Sequence, residues 1–411
     1  MSDNKPILVI GGGISGITTA IEIAETGYPV ILVEKNPYLG GQVARMNNYF
    51  PKLCPPACGL EINFRRIKQN QDVTVYISAI VSQISGSKGN FKVILNREER
   101  LINENCTACG KCAEVCPVQR SNEFNYELDN TKAAYLPYEM AFPLKYHIDP
   151  SVCKKEDCSK CAEVCAYNAI NLKAQRTEET IEVSSIVYAT GWLPSPHKNL
   201  VKYNYHNYKN VITNVEMERY LSPGGPTNGK VITGENEKEP SSIAFVQCAG
   251  SRDENYLPYC SGVCCSASLK QALTYSERNP EADISVFYID LRVTGRNEDF
   301  LKKVENRKNI KLIKGRVARI ENDGDNKIVV QAEDIMQNKK LTRSFDLVVL
   351  AAGIVPAETK NKDVPVDEFG FILQDKLPDG VYAAGCSKKA MDVSSSLKDA
   401  TGAALKAIQK K

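Results

Sequence analysis

Eight cysteines between residues 106 and 165 fall into two runs, Cys106-x2-Cys109-x2-Cys112-x3-Cys116-Pro117 and Cys153-x4-Cys158-x2-Cys161-x3-Cys165. Thiolates at this spacing wrap iron–sulfur cubes, and the fourth cysteine of each run reaches across to the other cube. One [4Fe-4S] cluster is therefore expected on Cys106, Cys109, Cys112 and Cys165, and a second on Cys153, Cys158, Cys161 and Cys116. The first run keeps the proline of the bacterial ferredoxin pattern. The second has a longer first gap and Ala166 in place of proline, and neither change removes a ligand. Zinc is the rival occupant, but C-x2-C-x2-C-x3-C does not present tetrahedral ligands in the usual two-plus-two manner. Residues 101–172 thus read as a ferredoxin-like two-cluster module.

The module interrupts a different pattern. Pro6-Ile-Leu-Val-Ile10 is a buried-strand run, followed by Gly11-Gly-Gly-Ile-Ser-Gly16, an apolar-periodic helix through Ala24, a second strand at Pro29–Val33, and Glu34. Strand, G-x-G-x-x-G, helix, strand and acid in this order form a dinucleotide-binding fingerprint. Gly11, Gly13, Ser15 and Gly16 let a pyrophosphate approach the helix N-terminus, where free N–H groups and the helix dipole favour negative charge. Glu34 can accept from the adenosine ribose. The continuation, Glu34-Lys35-Asn-Pro-Tyr-Leu-Gly40-Gly41-Gln42, resembles the extended fingerprint of two-dinucleotide-binding, disulfide-reductase-like flavoproteins. So do Ala189-Thr190-Gly191 and Leu350-Ala-Ala-Gly353, and Gly380-Val-Tyr-Ala-Ala-Gly385 before a small-residue helix from Asp392 and Val393 to Ala407. The resemblance implies FAD, held by these residues, with the last helix N-terminus facing the flavin. Such proteins usually place aspartate after the last glycine; here it is Cys386, either inert packing or a group near the flavin.

In that family a second nucleotide domain carries its own glycine fingerprint. The equivalent strand here, Ser242–Gln247, runs instead into Cys248-x11-Cys260-x3-Cys264-Cys265 and then an apolar helix from Ser266. No glycine pair admits a diphosphate, so no NAD(P)H site is expected. The four cysteines become candidate ligands of a third [4Fe-4S] cluster, since adjacent cysteines fit no common zinc pattern and rarely pair as a disulfide. Cys54 and Cys58, in a proline-rich stretch after Gly41, are either a redox dithiol or supplementary ligands. Arg65 and Arg66 nearby read as a solvated basic patch or as partners of a reduced flavin or a phosphate.

The 411 residues have room for several cores. The expected division is residues 1–100 as the first part of an FAD domain, with a β-meander from Val73 to Leu95, and 101–172 as the cluster module. Residues 173–237 continue the FAD domain and include a linker from Ser222 to Glu239. Residues 238–345 form a degenerate nucleotide domain, and 346–411 return to the first. The aromatics Tyr126, Tyr135, Tyr138, Phe142 and Tyr146 between the cysteine runs are expected against a neighbouring subunit. Fifty-two basic against 49 acidic residues, without blocks of one sign, argue against nucleic acid and against a polybasic membrane anchor. Three scattered histidines cannot build a metal site. An odd total of 15 cysteines suits metal ligation in a reducing, oxygen-poor cytoplasm better than disulfides. With neither a leader pattern nor a spanning apolar run, membrane contact is expected only through partners.

Taken together, these features resemble the family of heterodisulfide reductase A-subunits: an α/β two-dinucleotide flavoprotein with ferredoxin clusters and the Cys…Cys-x3-Cys-Cys loop. The segments from Cys54 to Phe64, Lys132 to Phe142, Val246 to Asn255 and Phe287 to Arg292 are similar to the branch found in quinone-interacting membrane-bound oxidoreductase complexes. That resemblance implies two companions, a membrane haem subunit and a related flavoprotein/iron–sulfur subunit. It also implies electron exchange between the menaquinone pool and adenylylsulfate reductase in sulfur metabolism, at the cytoplasmic side of the membrane. The competing reading is a stand-alone NAD(P)H-linked disulfide or polysulfide reductase using Cys54 and Cys58.

Overall fold

The structure, a computed structural model, describes residues 5–50, 53–232, 238–293, 297–324, 327–359 and 363–409. Strand Ile7–Ile10 is apolar throughout, as a strand covered on both faces must be. It is central in a five-stranded parallel sheet, ordered Val381–Ala383, Ser185–Tyr188, Ile7–Ile10, Val30–Val33, Val73–Tyr76. Helices Ile14–Ala24 and Val393–Ile408 pack together on one face. The alanines of the second helix, Ala400, Ala403, Ala404 and Ala407, let it approach Ile17 and Ala20 closely. The other face is covered by an antiparallel sheet of Ala79–Ser87, Asn90–Arg97 and Thr177–Val183, with Leu8, Val33 and Ile186 packed against Val81, Val93 and Leu95. The expected meander from Val73 is therefore corrected. Val73–Tyr76 joins the parallel sheet, and the third antiparallel strand comes from beyond the cysteine runs.

The second half repeats this layering, which no sequence repeat announced. Its parallel sheet is ordered Val211–Thr213, Leu347–Leu350, Ser242–Val246, Asp283–Tyr288, Ile310–Lys314. The antiparallel strands Val317–Asn322, Ile328–Asp334 and Lys339–Phe345 cover one face. Helices Asn214–Leu221 and Cys264–Arg278 cover the other. Two expected boundaries move as a result. Val211 pairs with Val348 and Ile243 with Leu347, so residues 211–221 and 346–350 serve the second half, because a parallel strand is placed by its sheet partners rather than its chain neighbours. An antiparallel pair, Trp192–Pro194 with Ile354–Pro356, connects the halves. Part of the expected linker, residues 233–237, lies outside the described residues.

The cysteine module occupies a hairpin turn. Arg97 and Thr177 are paired across neighbouring antiparallel strands, and everything between them projects from that end. A bridge between Ile102 and Ile170 closes its base. Its own core is small: Leu101, Ile102, Ala134 and Ile148, with five of the cysteines packed against them. So little apolar burial suits a unit stapled by metal. Of the aromatic stretch, Tyr126, Tyr138 and Phe142 pack on this chain's own flavin half rather than awaiting a neighbouring subunit, a further correction. The Tyr138 hydroxyl donates to the Leu39 carbonyl at 2.8 Å and the Tyr126 hydroxyl to Gln42 Oε1 at 2.9 Å. Phe142 stacks on Phe64, and Phe124 packs on Tyr38 and Tyr138. Tyr135 packs edge-on to His147. Tyr126, Tyr138, Phe142 and Phe124 thus cover Tyr38, Phe64 and Gln42 of the flavin half, while Tyr135 packs within the module and Tyr146 lines a cysteine cavity.

Candidate functional site

A long cavity begins at the first glycine turn. Gly11, Gly13, Ser15, Glu34, Lys35, Gly41 and Gln42 line it, followed by Ala189, Thr190, Gly191, Cys386, Asp392 and Val393. The Glu34 carboxylate is fixed by the Gly12 N–H at 2.6 Å and by the Asn36 backbone and side-chain N–H groups at 2.8 and 2.7 Å, while burial pushes its pKa up. Three expected residues, Gly16, Gly40 and Gly385, stand behind the lining. A Cβ on Gly16 would lie 1.7 Å from the Gly11 carbonyl oxygen, and one on Gly385 2.1 Å from Ser15 Oγ, so these glycines permit backbone contact rather than touch a ligand. Asp392 caps the last helix, accepting from the Ser395 N–H at 2.7 Å. Thr190 Oγ1 is buried with no hydrogen-bond partner among the described residues, an orphan a bound dinucleotide could satisfy. With glycines that admit a diphosphate and an acid at the ribose end, the residues present fit FAD.

The module's cysteines ring two further cavities. Cys106, Cys109, Cys112 and Cys165 line one, with Tyr146 and Tyr167. Cys116, Cys153, Cys158 and Cys161 line the other, with Ala134 and Ile148. Short helices Lys111–Val115 and Lys160–Glu163 carry Cys112 and Cys161, with Cys116 and Cys165 just past their ends, each helix entered through a left-handed residue, Gly110 or Ser159. Burial pushes Cys112 up to about 12 and Cys161 up to about 11, since a desolvated thiolate lacks countercharge. Iron in a bound cluster supplies that charge. Among the described residues no three His, Cys, Asp or Glu groups converge on a single-ion site; the thiols surround spaces instead.

The four loop cysteines, Cys248, Cys260, Cys264 and Cys265, line a fourth cavity with Arg252 and Arg292. Helix Cys264–Arg278 starts two residues earlier than expected, so the adjacent pair forms its first turn. Cys260 accepts the Gly262 N–H at 3.4 Å and the Cys265 thiol donates to the Asp290 carbonyl at 3.5 Å, while Arg252 and Arg292 are the charged residues of the lining. Gly262, Val263 and Arg292 also line the long cavity, so the two spaces share a wall. Cys54 and Cys58 line none of the four cavities. Cys54 bridges to Tyr49, and Cys58 is exposed in the first turn of helix Pro56–Gln69. Arg66 pairs with Glu25 at 2.7 Å and Arg65 with Glu61 at 2.5 Å on the surface, the solvated reading of that pair.

Beyond Cys265 the long cavity is lined by Lys270 and Gln271, with Glu218 and Asn214 from the neighbouring helix and Arg45 and Tyr126 from the flavin half and module. No local pattern in the sequence marks these. Lys270 Nζ donates to Glu218 Oε1 at 2.5 Å and to the Asn48 carbonyl at 2.5 Å, and Glu218 accepts from the Asn47 N–H at 2.9 Å. Arg219, buried, donates to Asn125 Oδ1, the Arg45 carbonyl and the Gly224 carbonyl, each at 2.8 Å, beneath the Phe124 ring. One guanidinium thus ties the second half, the flavin half and the module together.

Fold and site together define a two-dinucleotide oxidoreductase flavoprotein that carries FAD and iron–sulfur clusters. A family profile for FAD dependent oxidoreductases matches residues 6–90, and one for 4Fe-4S binding domains matches residues 100–119. The A-subunit of the H(2):CoB-CoM heterodisulfide,ferredoxin reductase of Methanothermobacter thermautotrophicus is 35% identical over 99% of this chain and 64% of its own length. The A-subunit of the ferredoxin/F(420)H(2)-dependent CoB-CoM heterodisulfide reductase of Methanosarcina acetivorans is 32% identical over 99% of this chain and 53% of its own. Over nearly its whole length the chain is similar to A-subunits of heterodisulfide reductases, and it spans a little under two thirds, or about half, of the length of these relatives. Thioredoxin reductase from T. acidophilum shares the fold, with a TM-score of 0.55 at 15% identity over 99% of this chain and 98% of the other. Among the described residues no helix is long and apolar enough to cross a membrane.

Proposed function

We propose that the chain relays electrons between FAD and three [4Fe-4S] clusters, two in the module with the crossed ligand sets and one in the Cys248–Cys265 loop, without a NAD(P)H site. The observation that carries this is the wall of Gly262, Val263 and Arg292 shared by the flavin cavity and the loop cysteine cavity. FAD accepts two electrons and passes them singly, and each cube carries one. The chain's own part is to hold the sites at fixed separations. The Gly262 N–H on Cys260 and the first turn of helix Cys264–Arg278 hold the loop thiols beside the flavin cavity, where a hydride donor would otherwise stack.

The setting proposed is a complex with a membrane haem subunit and a related flavoprotein/iron–sulfur subunit, exchanging electrons between menaquinone and adenylylsulfate reductase. The segment resemblances favour it. The relatives' names favour the CoB-CoM heterodisulfide instead. Anaerobically purified protein should carry about twelve irons per chain, and its flavin should not bleach with NADH or NADPH. Fast bleaching would restore the stand-alone reductase reading. In the assembled complex, a menaquinol analogue should support reduction of adenylylsulfate reductase; turnover of the CoB-CoM heterodisulfide alone would move the substrate to that of the relatives.

A further inference from the structure

Two arginines stand at the loop cysteine cavity, and they are placed differently. Arg252 lines the loop cavity with the four cysteines and is absent from the lining of the long cavity, and its Nη2 lies 3.0 Å from Asp290 Oδ2. Its side chain is 23% exposed and that of Asp290 52%, so water screens part of the pair. Arg292 lines both the loop cavity and the long cavity, and among the described residues it has no carboxylate partner. It is the one charged residue common to the two linings. It is also exposed, so its field is weaker at each.

Resting on the reading of this loop as a cluster site, we propose that Arg252 and Arg292 set the reduction potentials on either side of the shared wall. Arg252 acts on the loop centre alone, and Arg292 on the loop centre and the flavin together. The reason is electrostatic. Gaining an electron adds negative charge, and a fixed cation or an N–H on a ligand sulfur stabilises that form more than the oxidised one, which raises the potential. A guanidinium holds its proton at any working pH, so the effect is constant. Arg252 and Arg292 are positioning groups for charge rather than ligands.

The test is redox titration of the anaerobic holoprotein, following the flavin by absorbance and the clusters by electron paramagnetic resonance. Arg252→Gln should move one cluster to more negative potential and leave the flavin and the other two clusters in place, while Arg252→Lys, which keeps the charge, should move that cluster less. Arg292→Gln should move the same cluster and the flavin together. Unmoved potentials in variants with the wild-type iron content would overturn the tuning and leave the third cluster standing. A wild-type count near eight irons would remove the loop cluster and the proposal with it. Should Arg252→Gln lose iron, Arg292→Gln decides: a joint shift supports the proposal, and a shift of the flavin alone, or none, overturns it.

Discussion

The sharpest consequences at the scale of single residues concern the cysteines and the glycines behind the flavin cavity. Because Cys165 lines the cavity of Cys106, Cys109 and Cys112, Cys165→Ser should remove or convert that cluster and spare the one at Cys153. Metal analysis with paramagnetic resonance would check this, and loss of the Cys153 signal instead would refute the crossed sets. Gly16→Ala puts a methyl 1.7 Å from a carbonyl oxygen, so the protein should purify without flavin, read from the loss of its yellow absorbance. His147 supplies a pH dependence. Burial pulls its pKa down to about 4 against an opposing pull from Asp149. The unfolded imidazole takes a proton below about pH 6.5 and the folded one only near 4, so the unfolded state binds more protons in that window. Stability therefore falls as pH drops from about 6.5 towards 4, by about 2 kcal/mol at pH 5. Urea unfolding of His147→Gln should lack that component. Cysteines and glycines were legible because cluster and dinucleotide ligands recur at short, fixed spacings. Arg45, Lys270 and Arg292 were not, since what gives each of them meaning arrives from a distant part of the chain.

At the scale of elements, apolar runs announced the buried parallel strands, as at Ile7–Ile10, where both faces are covered. Val73–Tyr76 misled because only half of each side chain is covered at a sheet edge, and Val-Thr-Val-Tyr alternates as a hairpin strand would. Helix Cys264–Arg278 was displaced by two residues because its first turn carries cysteines, whose spacing speaks of ligation rather than helix. The aromatic stretch of the module shows the same limit: five rings imply burial, not which surface receives them. Since Phe124 packs between Tyr38 and Tyr138 beside two guanidinium groups, Phe124→Ala should cost about 3–4 kcal/mol. The urea transition should then split, the module loosening before the flavin half. A single transition with unchanged midpoint would show that the rings contribute no more than surface contact.

At the scale of the molecule, the relative placement of the halves was invisible in the sequence, because it rests on a few buried polar contacts. Arg219→Met would strand Asn125 and two backbone carbonyls, each costing about 1–3 kcal/mol when buried without a partner. It should lower the unfolding midpoint and raise hydrogen exchange at Asn214–Leu221 and at Glu123–Asn125 together; exchange rising at one site only would show that Arg219 does not couple them. The hairpin that carries the cysteine module has an implication for protein engineering. Its two stems leave the flavin body side by side, at Arg97 and Thr177, so the chain path there accepts any insert with adjoining ends, while Tyr38, Phe64 and Arg219 set the surface that insert must bring. A different miniature carrier with adjoining termini, a rubredoxin or a haem peptide, grafted at that socket would leave the strands below in registration once it covers Tyr38 and Phe64 and offers Arg219 an acceptor.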